Sequence, residues 1–246
     1  MMSRSHAMSG AAAGIALFST FALPLPAFSV AGHKLGGATV PLALGLGRMS
    51  TPYVAIMCVI VMAATLLPDW DRPDSCTAMA LPPLTRLISR LLTTPGRQGL
   101  TRAPAGIALI TAVTTLVVSP TMRLSGMLIR PGNGIVLMLM SAMGACALGM
   151  RIPVILWGVG VMGLLSGVTL PATALWFMPT AVALGMWTHR VDDILTSQGA
   201  ENPLWPLRRW PRVSLPLLDG RENTLFLLLG LYTTAGAVQM MVSAWA

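Results

Sequence analysis

Three short polar segments carry the side chains that could bind a metal ion or transfer a proton. They are His6, the pair Asp69 and Asp71 in the run LLPDWD, and the pair His189 and Asp193 in the run HRVDDILT. On a helix, His189 and Asp193 face the same way because they are four residues apart. Imidazole nitrogen and carboxylate oxygen together suit Zn²⁺, Mn²⁺ or Mg²⁺. Such an ion can lower the pKa of a bound water and supply a hydroxide nucleophile.

The sequence therefore predicts a divalent metal ion bound by these five residues, with His189, Asp193 and Asp71 acting in catalysis and one of them as general base. Each segment also has a simpler interpretation. The aspartates after Pro68 can cap a turn, and the His189–Asp193 pair can be an ordinary helical pair. A site is favoured because all three segments are expected at one membrane face, where ionisable groups tend to be functional.

The elements that must position these residues are apolar. Of the 246 residues, 54% are hydrophobic and 10% are charged, and the mean hydropathy is +0.73. Soluble domains carry roughly 25% charged residues, and a chain of this length cannot hide so much apolar surface in one core. We expect an all-α, polytopic transmembrane helical bundle that forms a single domain over residues 1–246.

Apolar runs predict seven membrane-spanning helices, with six as the alternative. The runs are 10–30, 52–67, 105–118, 135–150, 153–170, 172–187 and 224–245, each near the length that a bilayer requires. A cleaved signal peptide is the alternative for the first run, and Pro171 marks either a boundary or a kink.

Two polar loops remain between the runs, at about 68–104 and 188–223. In the first, leucine and isoleucine side chains recur at helical spacing with Arg86 and Arg90 opposite, which predicts an amphipathic helix at the membrane interface. The apolar positions are Leu84, Leu87, Ile88, Leu91 and Leu92.

The charge distribution predicts the orientation. The formal net charge is +8, and seven spans place 12 of the 16 Lys and Arg residues, with all eight Asp and Glu residues, on the side of the N-terminus. The positive-inside rule assigns that side to the cytoplasm. Because the cations lie in loops between apolar runs, the expected partner is the lipid bilayer and not nucleic acid.

The polar motifs resemble the YdjM-like family of LexA-binding, inner-membrane-associated, metal-dependent hydrolases. The resemblance rests on Ser5-His6, on residues 67–71 followed by Ser75, on His189, Asp193, Leu195, Thr196 and Gly199, and on Trp205-Pro206 with the later Gly220 and Glu222. It implies a metal-dependent hydrolase of the inner membrane. It names no substrate, and the membrane setting predicts a lipid or lipid-linked one.

One segment departs from the family pattern, because its second histidine motif is degenerate. The family has His-Arg-Gly-x-Thr-His-Ser where this chain reads RQGLTRAP at residues 97–104, so Arg97 and Arg102 stand where histidines are expected. Arginine offers no lone pair to a metal. Two functions therefore stay open: a hydrolase at the cytoplasmic interface, or a non-catalytic relative whose Arg-rich face binds lipid head groups or a protein partner.

A reporter fused after Ala246 tests the seven-span prediction. Seven spans with a cytoplasmic N-terminus place the C-terminus outside, so an alkaline phosphatase fusion should be active and a green fluorescent protein fusion dark. The opposite result would favour six spans.

Overall fold

The computed structural model of the chain describes residues 3–24, 28–30, 33–35, 37–93, 101–170, 174–196, 199, 213–215 and 217–245. These residues are mostly helical. The helices are α1 (Ser3–Phe18), α2 (Thr51–Ala64), α3 (Cys76–Met79), α4 (Leu84–Leu92), α5 (Pro104–Val118), α6 (Pro131–Ala147), α7 (Pro153–Val168), α8 (Ala174–Ile194) and α9 (Glu222–Trp245), with short 3₁₀ turns at Leu46–Arg48 and Leu67–Asp71.

Among the described residues, six short strands form three antiparallel pairs, so the chain is mostly helical but not all-α as predicted. The strands are β1 (Ala22–Pro24), β2 (Phe28–Val30), β3 (His33–Leu35), β4 (Thr39–Pro41), β5 (Met122–Leu124) and β6 (Met127–Ile129). β1 pairs with β4, β2 with β3, and β5 with β6. In the last pair, Ser125 and Gly126 both have positive φ, as a tight hairpin requires.

Six of the seven predicted apolar runs lie on helices: five agree within four residues of their expected limits, and the run 172–187 lies on α8, which continues to Ile194. The first run is the exception, because α1 ends at Phe18 and the chain continues into β1 and β2. Proline removes a backbone donor and fixes φ, and Pro24 lies in β1, so the predicted helix over 10–30 cannot continue. Pro171 lies outside the described residues.

Among the described residues, Thr51–Asp71 and Asn223–Ser243 are long and apolar enough to cross a membrane. Three shorter apolar helices, α5, α6 and α7, have 15 to 17 residues. Helix α9 leaves Leu227, Leu228 and Leu231 at least 60% exposed. A large exposed apolar face is unfavourable in water and favourable in lipid.

Helix α2 lies at the centre of the bundle, with Met57, Ile60 and Val61 fully buried. It packs against α1 on one side and α8 on another. Two glycines permit these approaches. A Cβ atom at Gly10 would lie 2.9 Å from the carbonyl oxygen of Val61, and one at Gly185 would lie 2.5 Å from the same oxygen.

The helix predicted in the first polar loop is confirmed, since α4 spans Leu84–Leu92. Its buried side chains are Thr85 and Ser89, whereas Leu84, Leu87 and Leu91 are 48–58% exposed. The Thr85 hydroxyl donates to the carbonyl of Ala78, which fixes the polar face against the protein. These three leucines therefore point away from the bundle, as expected of a helix that rests on a membrane, whereas Ile88 and Leu92 of the predicted apolar face pack against the core.

Helices α6 and α7 also pack closely, as the four-residue spacing of Gly163 and Gly167 predicts. A Cβ atom at Gly163 would lie 2.7 Å from the carbonyl oxygen of Leu137, and one at Gly167 would lie 2.7 Å from that of Asn133. Small residues at such positions let membrane helices pack tightly.

Replacing Gly185 by alanine should destabilise the bundle by about 1–3 kcal/mol, because the added methyl group has no space beside α2. Gly10→Ala should act in the same direction. Gly158→Ala is the matched control, since a Cβ at this exposed helical position meets nothing within 4 Å. Thermal unfolding of the detergent-solubilised variants measures the difference. Equal melting temperatures for Gly185→Ala and Gly158→Ala would contradict the packing described here.

Candidate functional site

His6 and His189 lie against each other although 182 residues separate them in the chain. His6 is in the second turn of α1 and His189 is near the end of α8. Their rings stack with centroids 4.1 Å apart and an interplanar angle of 25°, and each residue is 2% exposed. The two helices meet here because both pack on α2 through the glycine contacts.

Asp193 completes a group of three metal-capable side chains. Its carboxylate lies 3.2 Å from Nε2 of His189 and 3.8 Å from Nε2 of His6. One ligand atom from each residue can be chosen so that all lie within 4.8 Å of one another. Two imidazoles and one carboxylate are a common protein donor set for a catalytic zinc ion, which leaves a further position for water or substrate.

Asp192 belongs to the same group, and the sequence reasoning missed it. Its Oδ2 atom lies 3.1 Å from Nδ1 of His6. A carboxylate that accepts a hydrogen bond from one imidazole nitrogen orients the ring and frees the other nitrogen for a metal. The only signal in the sequence was its position next to Asp193. We call His6, His189, Asp192 and Asp193 the histidine cluster.

Two buried polar atoms near this region have no hydrogen-bond partner among the described residues, namely Nδ1 of His189 and Oδ1 of Asp71. An unsatisfied buried polar atom costs roughly 1–3 kcal/mol. Such atoms are expected where a protein receives a ligand that is not part of its own chain.

Asp69 and Asp71 lie outside the three-residue group and contact Arg102 instead. The Arg102 Nη2 atom is 2.6 Å from Oδ1 of Asp69 and 3.8 Å from Oδ1 of Asp71. The arginine that stands where the resemblance expects a histidine thus pairs with two of the five predicted ligands. Arg97, the other such arginine, lies outside the described residues.

Backbone contacts hold Arg102 in this place. The hydroxyl of Thr101 donates to the carbonyl of Pro68 at 2.8 Å, and a guanidinium nitrogen of Arg190 donates to the carbonyl of Arg102. The start of α5 is therefore tied both to the turn that carries Asp69 and to the end of α8.

The site carries a net negative charge. With the histidines neutral, four carboxylates face two guanidinium groups, which leaves a charge of −2; the groups are Asp69, Asp71, Asp192, Asp193, Arg102 and Arg190. A cavity of about 10 Å³ lies among Arg102, His189 and Asp193. This volume is near the minimum for a single water, so the space admits one water or small ion beside the Asp193 carboxylate and the guanidinium groups of Arg102 and Arg190.

The charges also act on Asp193. Burial by itself would raise the pKa of its carboxyl group, but the hydrogen bond to His189 and the electrostatic attraction of His189, His6 and Arg102 outweigh burial. The pKa of Asp193 is therefore lowered from its ordinary value of 3.8. The carboxylate form, which a metal requires, is the form that this environment stabilises.

The sequence profile of the family described as YdjM inner membrane protein matches residues 1–246, the whole chain. No curated protein and no solved structure matches the chain.

Acid should remove the stabilisation that Asp193 provides. Because its pKa is lower in the folded protein, its ionised form stabilises the fold above about pH 3.8, and this contribution is lost as the pH falls further. The difference in melting temperature between wild type and Asp193→Asn, measured in chelator, should narrow as the pH falls below about 3.8. The exposed Asp74→Asn variant is the control. A gap that stays constant with pH would contradict the lowered pKa.

Proposed function

The chain belongs to the YdjM inner membrane protein family, and we propose that it is a metal-dependent hydrolase whose site lies at the cytoplasmic interface of the membrane. The observation that carries the proposal is the approach of His6, His189 and Asp193, whose ligand atoms lie within 4.8 Å of one another. In this proposal these three residues hold a Zn²⁺, Mn²⁺ or Mg²⁺ ion. The bound ion would lower the pKa of a water molecule and polarise the substrate.

The other residues of the site have separate roles in the proposal. Asp192 orients the ring of His6 through the 3.1 Å contact with Nδ1. Asp71 accepts a proton at its Oδ1 atom, which no described residue hydrogen-bonds. Arg102 lines the small cavity beside His189 and would stabilise negative charge that develops on a substrate oxygen. Asp69 pairs with that arginine at 2.6 Å, and the proposal therefore assigns it to charge balance instead of metal binding.

The proposal includes a topology of seven spans with the N-terminus in the cytoplasm. The described residues contain seven helices of at least 14 residues, and polar residues from the ends of three of them support a common side. Arg4, Asp69 and Arg151 line one cavity, although Arg4 lies in the first turn of α1, Asp69 follows α2 and Arg151 precedes α7. These segments belong to the side on which 12 of the 16 cations are expected.

A second candidate is a non-catalytic member of the family that binds lipid head groups or a protein partner. The contact between Arg102 and Asp69 favours it, because an arginine has taken the place of an expected ligand and occupies a carboxylate that could have bound the ion. A protein of this kind would keep the fold without holding a metal.

Metal content separates the two candidates. Purified protein in detergent, loaded with Zn²⁺ or Mn²⁺ and passed over a desalting column, should retain about one equivalent. His6→Ala and His189→Ala should lose it, and Asp192→Asn should weaken the affinity by roughly 10–100-fold because the ring of His6 loses its orienting carboxylate. The measurement is inductively coupled plasma mass spectrometry with equilibrium titration.

His33→Ala is the matched control, since His33 is the one histidine of the sequence besides His6 and His189 and lies in β3. It should retain the ion. Wild-type protein that retains less than about 0.1 equivalent after loading would overturn the hydrolase proposal and favour the non-catalytic candidate.

A further inference from the structure

A second and much larger cavity lies beside the histidine cluster. Its volume is about 460 Å³, within the usual range for small-molecule sites, and it is open to the surface. Its polar lining includes Arg4, Asp69, Arg72, Asp74, Ser75 and Arg151. We call it the arginine cavity. Three guanidinium groups from three separate segments of the chain surround one space.

The charge of these three arginines is not balanced by an ion pair within the described part of the chain. None of them has a carboxylate within 4.0 Å among the described residues. Asp69 already pairs with Arg102, so Asp74 is the remaining carboxylate of the lining. The arginine cavity therefore carries an excess of two positive charges, in contrast to the negative histidine cluster.

The backbone places at least one of the three guanidinium groups. Gly149, in the turn between α6 and α7, has φ +98, and a Cβ atom there would lie 2.9 Å from Nη2 of Arg4. The glycine thus provides the space in which the side chain of Arg4 lies against the turn. Arg151, two residues later, enters the same cavity from the start of α7.

We propose that the arginine cavity binds the phosphate group of an organic phosphate ester, and that this ester is the substrate class of the site. Arginine binds phosphate through paired, charge-assisted hydrogen bonds. A phosphate monoester offers three terminal oxygens and nearly two negative charges, which match three guanidinium groups and an excess of two positive charges better than a single carboxylate does.

The position of the cavity links it to the proposed chemistry. Asp69 lines the arginine cavity and pairs with Arg102, and Arg102 lines the small cavity with His189 and Asp193. In hydrolysis the water oxygen forms a new bond to phosphorus. The bond from phosphorus to the ester oxygen breaks with its electron pair on that oxygen, and a proton of the water ends on the alcohol. Hydrolysis of the ester rests on the proposed hydrolase function, whereas binding of its phosphate group in the arginine cavity does not.

Equilibrium binding to full-length protein in detergent tests the inference, with dioctanoyl phosphatidic acid, dioctanoylglycerol and inorganic phosphate as probes in isothermal titration calorimetry. Phosphatidic acid should bind saturably, and Arg151→Gln and Arg72→Gln should each weaken that binding at least about 10-fold, the effect of losing a charge-assisted hydrogen bond. Dioctanoylglycerol, which lacks the phosphate, should not bind. Arg123→Gln is the control because Arg123 is exposed on β5, away from the cavity lining.

Each outcome decides the question. Loss of phosphatidic acid or inorganic phosphate binding in the Arg151 variant, with Arg123→Gln unchanged, supports the site, and the tighter of the two probes identifies a lipid or a free phosphate as the source. No saturable phosphate binding, an equal loss in the Arg123 variant, or equal binding of dioctanoylglycerol would overturn it. Arg151→Gln should keep its bound metal. Wild-type protein that binds phosphate but no metal refutes only the hydrolase proposal. Wild-type protein that binds metal but no phosphate refutes only this inference.

Discussion

Burying imidazoles and carboxylates at the end of an apolar bundle costs free energy unless each group finds a partner, and this constraint shapes one whole end of the molecule. His6 has Asp192, His189 has Asp193, and the two rings stack on each other. The pairing is possible only because α1 and α8 both approach α2 closely. The glycine contacts deep in the bundle therefore determine the geometry of the polar cluster at its end.

Two oppositely charged regions lie side by side at that end. The histidine cluster and its surroundings are negative, the arginine cavity is positive, and the ion pair between Arg102 and Asp69 stands between them. A phosphate ester drawn to the positive side would present its phosphorus near the side that suits a divalent cation. In this arrangement the arginine cavity binds the phosphate and the histidine cluster binds the metal. A substitution in one region need not change the affinity of the other.

Local patterns predicted local features. The four-residue spacing of His189 and Asp193 anticipated a shared helical face, and leucine periodicity anticipated α4. The run 10–30 misled because an apolar segment with prolines has the composition of a membrane helix, whereas its strands depend on pairing with residues 33–41. The role of Asp192 depends on its contact with His6, which is distant in sequence. The ion pair between Asp69 and Arg102 depends on how the start of α5 packs against the turn after α2. No local spacing contains that information.

Arg102 gives the boundary between the two regions a charge that does not respond to moderate changes of pH. An imidazole at this position would gain or lose its proton between about pH 5 and pH 8, and its electrostatic attraction to a carboxylate would change with pH. A guanidinium group keeps its proton throughout that range. An arginine at residue 102, where the resemblance expects a histidine, therefore gives the boundary beside Asp69 and Asp71 a charge that does not vary over this range of pH.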